Sequence, residues 1–133
     1  MSTRDQINQS IHDKVIDTAS NEFDSKNFDI YKNPGQQKNA KIGNNYPDII
    51  ITKKDELTIQ FIIEVETKDS VNLDEAKNQW EKYANEINAS FYILVPLSSK
   101  KLAINLCKQV GISVRFGTYQ VDFSGNITNI EYE

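Results

Sequence analysis

Tyr46-Pro47-Asp48-Ile49-Ile50-Ile51 and Leu57-Thr58-Ile59-Gln60-Phe61-Ile62-Ile63-Glu64-Val65-Glu66-Thr67-Lys68 are the two halves of the stretch that decides this fold. Lys53-Lys54-Asp55-Glu56 lies between them. Two β-branched runs joined by a short charged turn read as a hairpin. Side chains alternate along a strand, so Glu64, Glu66 and Lys68 share one face. Asp48 joins them when the register of the hairpin is even. Carboxylates gathered at the end of a buried hairpin are costly unless their charge is balanced, and a divalent cation balances it.

Length and composition bound the surroundings of that hairpin. A chain of 133 residues with 38% hydrophobic content makes one domain, spanning residues 1–133, with a core of its own. No apolar run is long enough to cross a membrane and the first ten residues are polar, so neither a membrane partner nor a secretory signal is expected. Cys107 is the sole cysteine, which excludes an internal disulfide and makes the cytoplasm the expected compartment. A net charge of -4 and a pI near 5.0 argue against a generic polyanion binder. A nucleic-acid enzyme stays open, because a carboxylate-rich metal site is itself negative until it is loaded.

Outward from the hairpin, the chain alternates helical and strand periods. Ile7, Ile11, Val15, Ala19 and Phe23, with Ile16, form the apolar stripe of a first helix, capped by Ser2 or Thr3 with Asp5 in its first turn. His12, the only histidine, has no Cys or His at ligand spacing and reads as a surface or boundary residue. Asp17 and Glu22 are acids that nothing singles out. Phe28, Ile30 and Tyr31 suggest a short strand, and Asn33-Pro34-Gly35 a turn. Gln36 to Asn45 reads as a solvated loop with Lys38 and Lys41 available to a phosphate backbone.

After the hairpin, Asn72 and Glu75 have capping-box spacing. Leu73, Ala76, Trp80, Tyr83, Ala84 and Ile87 then make a helical face, with Gln79 and Tyr83 one turn apart. Phe91 to Val95 reads as a strand buried on both sides, so strand, helix and strand form a crossover with part of the sheet parallel. A helix from Ser98 or Ser99 to Val110 stops at Gly111 and buries Cys107 as a small hydrophobe. Strands from Ile112 to Phe123 and from Ile127 to Tyr132 follow. The expected fold is α/β, a mixed central sheet flanked by helices in the order α-β-β-β-α-β-α-β-β.

Pro47-Asp48, followed by Glu64-Val65-Glu66 at the end of a second apolar strand, resembles the PD-(D/E)XK nuclease superfamily with its restriction-endonuclease-like fold. The resemblance covers about Tyr46 to Pro96. Gln79 and Tyr83 resemble the Gln-x-x-x-Tyr element of its RecB-like and Cas4-like branch. It implies Mg²⁺ (or Mn²⁺) held by Asp48 and Glu64 with help from Glu66, and a site of Asp48, Glu64, Glu66, Lys68, Gln79 and Tyr83. With Glu64 as the ligand, the usual lysine position holds Glu66; with Glu66 as the ligand, Glu66-Thr67-Lys68 fits the motif. Either Glu66 as a base or Lys68 as a cation then orients the attacking water.

The implied activity is metal-dependent hydrolysis of DNA phosphodiesters. The alternative is a catalytically inactive domain of the same fold, serving as a protein-interaction or DNA-binding subunit, and both leave room for a homodimer. For an acidic protein to bind DNA, Lys38, Lys41, Lys53, Lys54 and Lys68 are expected to form a positive rim around the acids.

Overall fold

Ile49 pairs with Ile63 and Ile50 with Ile62, and these pairs set the register of the hairpin. The computed structural model describes residues 5–35 and 38–133. Its six strands are β1 (Phe28–Lys32), β2 (Ile49–Lys53), β3 (Ile59–Val65), β4 (Ser90–Pro96), β5 (Arg115–Val121) and β6 (Ile127–Tyr132). They form one sheet in chain order. β3, β4 and β5 are mutually parallel, while β1–β2, β2–β3 and β5–β6 pair antiparallel. The hairpin therefore lies inside a mixed sheet, and the strand–helix–strand crossover is present. Leu57 is 90% exposed, so the second strand of the hairpin starts two residues later than its apolar run.

Alternation along β2 and β3 explains why both read as nearly continuous isoleucine: each face is covered. Ile49, Ile51, Ile63 and Val65 pack on one face against Val15, Ile16 and Ala19 of α1 (Gln6–Ser20), with Leu94 and Tyr119. Ile50 and Ile62 pack on the other against Ala76, Trp80, Tyr83, Ala103, Leu106 and Cys107. Cys107 is a small core residue, as expected, and burial pushes its thiol up to about 11.

Helix α1 differs from its expected stripe. Ser2 and Thr3 lie outside the described residues. The cap is Asp5, whose Oδ1 accepts the Asn8 N–H at 2.7 Å. Ile7 is 75% exposed and Phe23 follows the end of the helix. The buried stripe is His12, Val15, Ile16 and Ala19, a spacing of three, one and three. That places the histidine in the interior and corrects its reading as a surface or boundary residue.

The first crossover begins with α2 (Leu73–Glu75), passes through a π-helical turn (Ala76–Trp80) and continues as α3 (Glu81–Glu86). In the π turn the Glu81 N–H reaches back five residues to the Ala76 carbonyl. The second runs through a 3₁₀ turn (Leu97–Ser99) into α4 (Lys100–Val110), which ends at Gly111 with φ 74°. Only glycine takes that left-handed cap without strain. Among the described residues, no helix is long and apolar enough to cross a membrane.

Gly117 in β5 leaves room for an aromatic ring. A Cβ there would fall 2.7 Å from Tyr132 Cδ1 and 3.0 Å from Leu94 Cδ1. Gly117→Ala is therefore expected to lower the urea midpoint, by about 1–3 kcal/mol of overpacking, with the m-value unchanged. An unchanged midpoint would show that the Tyr132 ring yields freely. Cys107 in the native protein should react with a thiol reagent only slowly at mildly alkaline pH, since its thiolate forms near 11, and quickly once urea unfolds the chain. Rapid native labelling would contradict the burial.

Candidate metal centre

Glu64 and Glu66 continue, beyond Ile62, the face of β3 that packs under the crossover helices. Glu66 follows the strand, yet its N–H still donates to Leu94 O at 2.9 Å, and its carbonyl accepts the Tyr119 hydroxyl at 2.7 Å. Those two bonds hold the backbone extended, so Glu66 falls on the same side as Glu64. Both are buried, Glu66 completely. The expected shared face of the two acids is present.

A third acid meets them, one that sequence reasoning read only as a helix cap. Asn72 accepts the Glu75 N–H at 2.9 Å, the forward half of a capping box. The return half is not made, because the Asn72 N–H donates to Ser70 O at 3.1 Å. Glu75 is released inward. Glu64, Glu66 and Glu75 each offer a carboxylate oxygen, and these oxygens all lie within 4.8 Å of one another. Oxygens around a common divalent ion stand up to about 4–5 Å apart, twice a metal–oxygen distance, so this hard, buried donor set fits Mg²⁺, Mn²⁺ or Ca²⁺.

Asp48 stands beside this group and outside it. The Ile49–Ile63 pair brings it next to Glu64, and its N–H donates to Glu64 Oε1 at 2.9 Å. Its own carboxylate is engaged elsewhere: Oδ2 accepts the Val65 N–H at 2.7 Å, and Oδ1 lies 3.1 Å from His12 Nε2. His12 arrives from the opposite layer, out of α1. A lone histidine without ligand-spaced neighbours carried no motif. The signal that finds it is periodicity, since it falls on the stripe of Val15, Ile16 and Ala19.

Tyr83 belongs to the centre and to the core at once. Its ring packs edge-on against Phe91 at 6.1 Å. Its hydroxyl is held well above the ordinary phenol range, first by burial and then by the charges of Glu64, Asp48 and Glu75, against an opposing backbone hydrogen bond at Tyr46. Gln79 is half-buried in the π turn, and among the described residues its amide makes no hydrogen bond.

Lys68 does not share the face of the acids. The chain turns after Thr67, and Lys68 is exposed, lining a cleft of about 480 Å³ with Asn8, Thr67, Ser98 and Tyr119. The expected rim of lysines is also incomplete. Lys53 and Lys54 stand at the far end of β2 from Asp48, paired with Glu56 at 3.5 Å and Asp29 at 3.0 Å. Lys38 stands 5.2 Å over the Tyr46 ring.

The described part of the loop expected to be solvated is largely exposed, and Asn33 ties down its start. Asn33 is buried and uses its whole side chain. Its amide donates to Ala40 O and Pro47 O, both at 2.7 Å, and its oxygen accepts the N–H groups of Asn39 and Ala40. Its backbone N–H donates to Asp48 O at 2.9 Å. Gln36 and Gln37 lie outside the described residues.

No protein-family model, curated protein or solved structure matches this chain. The site stands on its own geometry. Asn33→Ala should cost about 1–3 kcal/mol, because it orphans the buried Pro47 carbonyl together with the part-buried groups of Asn39 and Ala40. Faster hydrogen exchange at the Asn39 and Ala40 amides is the local readout. Unaltered exchange there would mean that the loop is held by something other than Asn33.

Proposed function

We propose that this chain is a metal-dependent nuclease of the PD-(D/E)XK type, hydrolysing DNA phosphodiesters with Mg²⁺ or Mn²⁺ held by Glu64, Glu66 and Glu75. One observation carries the reading: three buried carboxylates converge to coordination distance at the end of an interior hairpin. Burying that much like charge is unfavourable unless a cation compensates it. The restriction-endonuclease-like fold belongs to the same proposal, supported by the mixed sheet, the order of elements and the position of Asp48 beside Glu64.

A divalent cation at such a site stabilises the charge of the phosphorane-like transition state and lowers the pKa of a bound water. The protein's part is geometric. The Asp48 N–H fixes one oxygen of Glu64. The two backbone bonds of Glu66 fix where its carboxylate projects. Glu75 approaches from the first turn of α2. Tyr83 stays protonated among the acids and offers a neutral hydroxyl there.

A second reading, a non-catalytic domain of the same fold, is favoured by one specific observation. Glu66 occupies the usual lysine position, and Lys68, the other candidate for that part, is exposed on a turn. Calorimetry and cleavage separate the two. Mn²⁺ should bind the wild type, and Glu75→Gln should weaken it by at least about 10-fold. Equal Mn²⁺ affinity in the two proteins would remove the metal from this reading. At least one of single-stranded, duplex and branched DNA should be cut with Mg²⁺ or Mn²⁺ and left intact in EDTA. Tight Mn²⁺ binding with every substrate intact would favour the non-catalytic domain.

A further inference from the structure

His12 has no part in the chemistry just proposed, yet it is 2% exposed and touches an acid at each end. Its Nδ1 lies 3.0 Å from Asp13 Oδ1 and its Nε2 3.1 Å from Asp48 Oδ1. A neutral imidazole carries one N–H and one lone pair, so it donates to only one of two flanking carboxylates. The protonated ring donates to both, and two charge-assisted bonds orient it.

The contacts continue in both directions. Asp13 Oδ1 also accepts from Gln9 Nε2 at 3.0 Å and from the Gly35 N–H at 2.8 Å. Gly35 has φ 59°, a left-handed turn at the mouth of the loop that Asn33 ties to Pro47. On the other side, Asp48 accepts the Val65 N–H and donates its own N–H to Glu64. One line of hydrogen bonds therefore runs from Gly35 through Asp13, His12 and Asp48 to Glu64, joining four segments far apart in sequence.

We propose that His12 is a positioning residue for the acidic cluster: donating at both ring nitrogens, it holds the Asp48 carboxylate against the Val65 amide, aims the Asp48 N–H at Glu64, and couples the cluster to the turn at Gly35. It places a positive charge beside Asp48 from α1, where the motif leads one to look for a lysine after β3. Asp13, 40% exposed at its side chain, is the outer end of the line.

Only the metal measurement rests on the nuclease reading. Because His12 is the sole histidine, long-range ¹H–¹⁵N correlation of the labelled protein at neutral pH reports its ring without assignment. Both ring nitrogens should resonate as protonated, and Asp13→Asn should shift Nδ1 more than Nε2. One unprotonated nitrogen in the wild type overturns the proposal. His12→Gln keeps a single amide donor in the same space; it should speed hydrogen exchange at both the Gly35 and Val65 amides. Unchanged exchange at both in a folded variant also overturns it. In the second arm, Mn²⁺ affinity should fall about 10-fold in His12→Gln and in His12→Ala, with added imidazole restoring it only in His12→Ala. Full affinity in folded His12→Gln would overturn the coupling to the cluster. Wild-type protein that binds no Mn²⁺ would sink the nuclease reading alone, and the ring nitrogens and amide exchange would then decide the role of His12.

Discussion

Burying a carboxylate is the constraint on which this structure depends. Asp48, Glu64, Glu66 and Glu75 are each at most 8% exposed, and they gather at one end of β3. Several unrelated details become one arrangement under that constraint. The Asp48 and Val65 amides point at carboxylates, Asn72 gives its N–H to Ser70 so that Glu75 turns in, and His12 crosses the sheet to reach Asp48. Such an arrangement is destabilising in a protein that does nothing with it, since well-packed hydrophobic residues of similar volume are often more favourable.

The apolar surroundings are ordinary by comparison, and they were the legible part. Two β-branched runs announced the hairpin, the continuous apolar run from Phe91 to Val95 announced a strand covered on both faces, and the crossover lengths announced parallel pairing of β3 with β4. The order of elements follows from those readings. Asp48, Glu64 and Glu66 were legible as neighbours because strand alternation is a local rule, whereas Tyr83 came to them only through the resemblance of the Gln79 and Tyr83 pair.

What escaped the sequence depended on non-local geometry. Lys68 continues the alternation of Glu64 and Glu66 on paper, but β3 ends at Val65 and the turn that follows aims Lys68 elsewhere. Glu75 looked like half of a capping box, and which way its carboxylate turns depends on Ser70. His12 was hidden by a stripe drawn through Ile7 and Ile11, of which Ile7 is exposed and Ile11 only partly buried at the margin of the core. Lys53 and Lys54 read as free cations until Asp29 and Glu56 closed on them.

The acids of the centre come from positions 48, 64, 66 and 75, and the histidine from position 12. In the unfolded chain most of these groups are strangers, separated by flexible polypeptide and screened by salt. Their mutual repulsion arises only when the β2–β3 register and the first crossover are both in place. A penalty confined to the folded state is relieved by anything that balances the cluster's charge there and nowhere else. The acidic cluster thereby acts as a spring that only the folded chain compresses.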